Sequence, residues 1–335
     1  MAKRIRLTVG IPTYKRPGTL RQAVRSVFEQ ANANYSFDLE VLISFNASEA
    51  ETLEAVQELQ TQHPDCIRYR VNETDVGYGP NVDNTVRGAK GDFVLILSDD
   101  DMLEPDALST LWNILNDHAD VGAVFLNNTP WNTELSAPLE SVLPRDRKTG
   151  GVFYENGADY ILDCGYPPFL ISGVVVKQNA WEPARARQFL DSMCIHTQTI
   201  LIMLSRCPAF ISHVSAIRYR TNATNGGWPS DVLFPFTFEL DLLAGYQAAR
   251  AVFPKRYLRC LHRHSMTQIA HSIMNVKASG NAIAYGLLRA RMKDLCNKWA
   301  VLYWINLMLL RLPACFMAPA FCVAKWIRKA TKVNA

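Results

Sequence analysis

Ser98-Asp99-Asp100-Asp101 sets three carboxylates side by side, directly after the unbroken apolar run Phe93 to Leu97. Neighbouring carboxylates repel, and each raises the others' affinity for a proton unless positive charge lies close. Hard oxygen donors of this kind suit Mg2+ or Mn2+. An ion held there can bridge a diphosphate and stabilise negative charge on a departing phosphate group. A purely structural reading competes with this one, because acids in the first turn of a helix complement its dipole.

Two further segments could act beside the acids. Gly10-Ile11-Pro12-Thr13-Tyr14-Lys15-Arg16 closes a predicted strand with a turn. Such a turn brings backbone groups close to a ligand, and Arg16 is suited to a phosphate. Asn72-Glu73-Thr74-Asp75-Val76-Gly77-Tyr78-Gly79-Pro80-Asn81 is the second, with glycines that permit close backbone approach. It matches neither the Walker phosphate loop nor the GxGxxG dinucleotide turn.

The elements that must position these segments follow from periodicity. Short apolar strands are predicted at Ile5 to Ile11, Leu39 to Ser44, Ile67 to Val71, Phe93 to Leu97 and Val121 to Leu126. Between them, residues recur at helical spacing: Leu20, Val24, Val27 and Phe28; Leu53, Val56 and Leu59; Val82, Val86 and Ala89; Leu108, Leu111, Trp112 and Leu115. Gly91 reads as a helix C-terminal cap, and Pro105 as the first residue of the next helix. Strands alternating with helices predict an α/β fold with a mostly parallel sheet flanked by helices. Ligands in such folds gather at the carboxyl ends of the strands. The polar residues there are Thr13 to Arg16, Asn46, Asn72 to Asp75 and Ser98 to Asp101. The stretch 127–151 reads as a long loop, a second region with helices as running from about Tyr154 to Ser212, and the chain from Asp231 onward as mainly helical.

In this order and spacing the three segments resemble the family 2 glycosyltransferases, whose fold is called GT-A. The likeness is strong over about residues 5 to 127 and weak beyond. The Pro-Thr-Tyr-x-Arg opening, the Asn…Gly…Asn segment closing in Ala-x-Gly, and the acids followed by Pro105 each match a motif of that family. The resemblance implies a GT-A domain over 1–228, with a nucleotide-binding half at 1–127 and an acceptor half at 128–228, followed by a helical region at 229–335. It implies that Pro12, Thr13, Tyr14, Arg16, Asn46, Asn81, Asp99 and Asp100 line the nucleotide-sugar pocket, and that Asp99 and Asp101 bind Mn2+ or Mg2+. The family often writes Asp-x-Asp-Asp, and Ser98 stands where its first Asp would fall, so a motif centred on Asp100 and Asp101 is the other register.

Members of the family commonly carry an Asp after the second strand that pairs with uracil. Phe45 occupies that place and Asn46 follows it. An amide serves donor or acceptor edges alike, so the base could be cytosine or another, and Phe45 could simply be core. By the same resemblance the general base toward the acceptor hydroxyl is Asp191, which follows the apolar segment Phe169 to Val176. A helix cap is the alternative for Asp191, and His196 is a competing candidate for the base. Arg218, Arg220 and Asn222 precede Gly226-Gly227-Trp228, in a loop placed to close over the diphosphate.

The bulk composition sets the remaining expectations. The 335 residues are 49% hydrophobic and 20% charged, enough for a full core. A net charge of +4 makes no case for nucleic acid. Eight cysteines without CxxC or paired Cys/His spacing read as buried thiols in a reducing compartment. No signal peptide is expected, because Met1 to Ile5 lacks an apolar region. The stretch 299–326 is mostly apolar, interrupted by Asn306, Arg311, Pro313 and Pro319, with a basic tail of Lys325, Arg328, Lys329 and Lys332. It reads as amphipathic helices lying in a membrane interface, with a buried helical hairpin as the alternative. The membrane reading places the chain peripherally on the cytoplasmic face of the inner membrane. The expected function is then transfer of a hexosyl or deoxyhexosyl group from a nucleotide-sugar to a lipid-linked saccharide, in surface-polysaccharide or O-antigen synthesis, metal-dependent and inverting. A nucleotidyltransferase with a similar sheet and a non-catalytic membrane-bound scaffold are the rivals.

Overall fold

The computed structural model describes residues 5–31, 36–46, 50–139, 150–165, 170–181, 189–221, 249–250 and 252–279, together with Gly286 and Met308. The chain divides into two compact units, Met1–Gly227 and Trp228–Ala335.

The first unit opens with strictly alternating strands and helices. They are β1 (Arg6–Thr13), α1 (Pro17–Phe28), β2 (Asp38–Asn46), α2 (Ala50–Gln62), β3 (Ile67–Asn72), α3 (Tyr78–Gly88) and β4 (Phe93–Ile96). Each strand of this part pairs in parallel, in the order β3-β2-β1-β4. β5 (Met102–Leu103), α4 (Ala107–Asp117), β6 (Ala123–Trp131), β7 (Gly151–Tyr154), α5 (Asp159–Cys164), β8 (Val174–Lys177), α6 (Ile195–Leu204) and β9 (Ala209–Arg220) follow. Among the described residues the sheet has nine strands, ordered β3-β2-β1-β4-β8-β6-β9-β5, with β7 on β9. Beyond β4 it becomes mixed: β8 is antiparallel to both neighbours, and β6 and β9 run parallel.

Burial explains why these residues form these elements. β4 is buried along its whole length, the pattern of a central strand covered on both faces. The core joins Leu7, Val9 and Ile11 of β1 to Leu20, Val24 and Val27 of α1 and to Leu108 and Leu111 of α4. On the other face α3 lies so close to β1 that a Cβ on Gly10 would meet Thr85 Cγ2 at 2.6 Å. Phe45 is core, 2% exposed and packed toward Tyr69. Every residue of α6 is buried, as expected of a helix enclosed on all sides.

Several local expectations are corrected. α3 ends at Gly88, and Gly91 is not its cap. A Cβ on Gly91 would lie 2.5 Å from Thr8 N, so the position needs glycine for close approach to β1. Pro105 lies in the turn before α4, whose N-cap is Asp106, and its carbonyl accepts a hydrogen bond from Ala31 N. The stretch read as a loop from 127 begins as strand: β6 continues to Trp131, and β7 starts at Gly151. β9, long and buried over much of its length, stands where helices and a loop were expected.

In the second unit the described residues centre on α7 (Lys255–Ser279), which buries Tyr257, Leu261, Ile269 and Ile273 at helical spacing. None of the described helices is long and apolar enough to cross a membrane. The tail 299–326 lies outside the described residues, Met308 excepted, as do Asn222 and Gly226 to Trp228.

Candidate active site

The carboxyl ends of β1, β2, β3 and β4 bring the sequence-predicted residues together. β1 ends at Thr13, and the chain then turns through Lys15, which takes the left-handed φ of 55°. A non-glycine residue in that region marks local strain, and such residues gather at binding sites. The turn lays the Lys15 ammonium 5.0 Å from the centroid of the Tyr14 ring. It also returns Arg16, the N-cap of α1, to the mouth of the sheet, with Pro17 following at the position where a missing N–H costs nothing.

Each acid of the cluster has its own partners. Asp99, 4% exposed, accepts from Thr13 Oγ1 at 2.5 Å, Tyr14 N at 3.3 Å and Arg16 Nη1 at 3.0 Å. Asp101, 2% exposed, accepts from Ser172 Oγ at 2.5 Å and from the backbone N–H of Arg220 at 2.9 Å. Asp100 is the most open of the three and accepts from Arg16 Nη1 at 2.6 Å and Ser98 Oγ at 2.6 Å. Ser172 Oγ also accepts the Ser98 N–H, so the loop before β8 clasps the cluster from one side. Arg220 clasps it from the other. Its Nε donates to Asp100 O at 2.7 Å and its Nη2 to Gln22 Oε1 at 2.6 Å, while its Nη1 meets Thr133 O.

The electrostatics follow from that enclosure. Burial, reinforced by the Asp100 charge, raises Asp99 to about 6 even though Arg16 and Thr13 pull it down. Burial and Asp100 raise Asp101 to about 7, against the Ser172 and Arg220 hydrogen bonds. Burial works against the charge on Arg16, but Asp99 and Asp100 outweigh it and raise its pKa. The protein therefore supplies much of the positive and hydrogen-bonding compensation that the sequence suggested a cation must supply.

Among the described residues, no group of three or more His, Cys, Asp or Glu side chains is arranged to hold a metal. Mg2+ and Mn2+ in nucleotide sites do not need one, since one or two carboxylates and the substrate phosphates complete the shell. Asp100, whose side chain is 14% exposed against 6% for Asp99, is the carboxylate that fits this role. All three acids have both oxygens turned to protein donors, so Asp100 differs from Asp99 and Asp101, the expected ligands, only in being more open.

On the β2 and β3 side lies a buried amide network. Asn81 Oδ1 accepts from Ser44 Oγ at 2.7 Å and Asn72 Nδ2 at 3.0 Å, and Asn81 Nδ2 donates to Thr13 O at 3.3 Å. Asn72 Nδ2 also donates to Asn46 Oδ1 at 3.0 Å, and Asn46 Nδ2 donates to Asp75 Oδ1 at 2.8 Å. Asn81 is thus a strut between β1, β2 and β3, and Pro12, still within β1 and paired with Ser44, is only partly buried.

Of the second-half candidates, Asp191 is exposed, in the turn joining Phe189 O to Ser192 N. This turn meets the start of α3: a Cβ on Gly79 would lie 2.1 Å from Leu190 O. His196, buried in α6, places Nδ1 3.4 Å from Tyr78 Oη. Burial and the charges of Cys194, Asp100 and Asp99 raise the Tyr78 pKa. Arg218 is engaged elsewhere, paired with Glu104 at 2.9 Å and stacked over Trp131. Sequence reasoning missed Ser172 and the inward role of Arg220, and it gave Asp75 no task.

This is a GT-A-type α/β fold with its polar site at the strand mouths. Residues 8–163 match the family model described as Glycosyl transferase family 2. Among curated proteins, abequosyltransferase RfbV of Salmonella typhimurium is 30% identical over 179 residues, 51% of this chain and 53% of that protein. The GalNAc(5)-diNAcBac-PP-undecaprenol beta-1,3-glucosyltransferase of Campylobacter jejuni is 36% identical over 113 residues, 33% of this chain and 35% of that protein. The match thus spans about half the length of the first relative and about a third of the second. In solved structures the same fold recurs in mannosyltransferase PcManGT from Pyrobaculum calidifontis in complex with GDP-Man and Mn2+, with a TM-score of 0.55 at 17% identity, over 92% of this chain and 86% of that one. It recurs in S. aureus TarS 1-349 in complex with UDP-GlcNAc, with a TM-score of 0.56 at 11% identity, over 88% and 82% of the two chains.

Proposed function

We propose that the chain is a glycosyltransferase that moves a sugar from a nucleotide-diphosphate donor to a hydroxyl of a lipid-linked saccharide, inverting the sugar carbon. The observation that carries this reading is the enclosure of Asp99, Asp100 and Asp101 at the mouth of β4, tied to Thr13 and Arg16 of the matched family segment. Mn2+ or Mg2+ would be held through Asp100, flanked by Asp99 and Asp101, and would supply charge stabilisation to the departing nucleoside diphosphate. Arg16 adds a fixed positive charge at the same place. The lipid-linked acceptor is supported by the Campylobacter relative, whose name specifies a polyprenyl-diphosphate saccharide. Work on such an acceptor suits a peripheral position at the cytoplasmic membrane face and a place in surface-polysaccharide or O-antigen synthesis.

The test is direct. Purified protein is incubated with a panel of nucleotide-sugars, a polyprenyl-diphosphate saccharide and Mn2+ or Mg2+, and transfer is read on the acceptor. Excess chelator should stop the reaction. Transfer at the full rate in chelator would remove the metal from the proposal. Release of pyrophosphate from a nucleoside triphosphate would instead favour a nucleotidyltransferase.

Asp191 takes the acceptor proton in this reading. Asp191→Asn should lower kcat by about a hundredfold or more, the usual scale for a lost general base, while nucleoside diphosphate affinity stays unchanged. Equal kcat in variant and parent would pass the role to another group, His196 first.

Gly79→Ala tests the seam between the two halves of this unit. The new Cβ meets backbone atoms, Leu190 O at 2.1 Å and Ser192 O at 3.2 Å, so the turn carrying Asp191 must move. The expected cost is about 1–3 kcal/mol of stability, with kcat falling more than nucleotide affinity. Chemical denaturation and steady-state kinetics check the two together.

A further inference from the structure

The acid cluster and Arg16 mark the diphosphate end of the site at the mouths of β4 and β1. In the strand order β3-β2-β1-β4-β8, the parallel strand mouths that continue beside this end are those of β2 and β3, since β8 runs antiparallel to β4. Phe45 contributes nothing polar there, because it is core. Asn46 is placed there but already spent. Its Oδ1 accepts from Asn72, and its Nδ2 donates to Asp75 Oδ1 at 2.8 Å and to Gly77 O at 3.4 Å. Asn72 is fixed in turn, with its Nδ2 on Asn81 and its Oδ1 accepting from Asn84. A buried amide whose neighbours are oriented this way cannot turn over without leaving donors facing donors. The side chain that emerges from this network is Asp75. It is exposed, its Oδ1 is held by Asn46 Nδ2 and by Gly77 N at 2.9 Å, and its Oδ2 carries no hydrogen bond among the described residues.

We propose that Asp75 is the residue that reads the nucleobase, with Asn46 acting as its positioning residue. An ionised carboxylate only accepts, so the base must present a donor to it: a ring N–H or an exocyclic amine. This inference deepens the proposed function and rests on it for the identity of the ligand class, a nucleoside diphosphate. A carboxylate aimed through one oxygen by two fixed donors is pre-organised, and rejects a base lacking the matching donor because its own acceptor then loses water without replacement.

The experiment measures binding of CDP, UDP, GDP, ADP and dTDP with Mg2+ to the full chain by calorimetry, for parent, Asp75→Asn and Asp75→Ala. Pyrophosphate with Mg2+ serves as the probe of the diphosphate end, and thermal midpoints of the free proteins report folding. In the parent one base should be preferred. Both variants should bind that nucleoside diphosphate about tenfold or more weakly, the scale of a lost charge-assisted hydrogen bond. They should also compress the ranking among bases, leave pyrophosphate affinity unchanged and melt with the parent. The cycle closes with the preferred nucleotide methylated at its donor, N3-methyl-UDP or N4,N4-dimethyl-CDP for example. Methylation should cost the parent much more than it costs Asp75→Asn. Unchanged ranking in both variants, or a uniform loss that includes pyrophosphate, overturns the assignment. A parent that binds no nucleoside diphosphate sinks this inference and the proposed function together. A parent that binds but transfers no sugar sinks the proposed function alone.

Discussion

Asp100→Asn should lower sugar transfer by about a hundred- to a thousandfold, the scale seen when one group stabilising transition-state charge is removed, while the free protein stays folded. The two effects separate because Asp100 differs from its neighbours. Asp99 and Asp101 are built into the frame by Thr13, Tyr14, Ser172 and Arg220, so replacing either strips buried donors of their acceptor. Asp100 is the more open carboxylate, and an amide there still offers an oxygen to Arg16 or Ser98. Its charge also raises both neighbours, so its removal should shift their titration to lower pH. Stability against pH checks this. Asp99 and Asp101 have folded pKa values near 6 and 7, above the ordinary carboxylate value, so the stability they confer is complete at low pH and is lost as pH rises through those values. Asp100→Asn should flatten that decline between about pH 4 and 7. Mn2+ with a nucleoside diphosphate should stabilise the parent more at pH 8 than at pH 6, and the variant little at either. A variant that keeps parental turnover, or keeps the Mn2+ response, would take the ion away from Asp100.

How much of this was legible in the sequence depended on distance along the chain. Short apolar runs separated by helical periodicity gave β1 to β4 and α1 to α4, because each of those elements buries its own pattern against a neighbour close in sequence. The acid cluster was visible because adjacent carboxylates need a local explanation wherever they occur. Ser172 was not visible: it reaches Asp101 across 71 residues, and a lone serine carries no signal. Arg220 was seen but misplaced. It lies 119 residues from Asp101 on β9, a strand whose burial alternates irregularly because its pairing with β6 shifts register around Asn127. An irregular alternation of this kind reads as loop from sequence alone. Gly91 and Pro105 were misread for a related reason, since close approach to Thr8 and a turn toward Ala31 leave no periodic trace. Asn46 shows the same limit at the level of one side chain. Its chemistry as an amide was clear, but which end faces the ligand is set by Asn72, Asn81 and Asp75, and only the folded network fixes it.

Arg16→Met should be the most destabilising single change in the site. Arg16 is 7% exposed and is the cation that faces both Asp99 and Asp100, at 3.0 and 2.6 Å. Methionine keeps the length and apolar stem of the side chain but leaves two carboxylates in a poorly hydrated setting. Breaking a buried pair in this way costs about 3–5 kcal/mol. The loss should depend on pH in a defined direction. With Arg16 present Asp99 already titrates near 6, held there by burial and Asp100 against the pull of the guanidinium. Without that pull its folded pKa rises further above the unfolded value, so the variant is closest to the parent where Asp99 is protonated and falls behind as pH rises. Denaturant midpoints from pH 5 to pH 8 should therefore diverge, with the gap widest at the alkaline end. A gap constant across that range would mean that Arg16 contributes packing alone. A gap that widens toward acid would mean that Asp99 is not the group it neutralises. Divalent cation should narrow the gap at pH 8 but not restore transfer. The ion can replace the missing charge beside the acids, yet it cannot replace the turn from Thr13 to Arg16 that lays one fixed cation against the diphosphate.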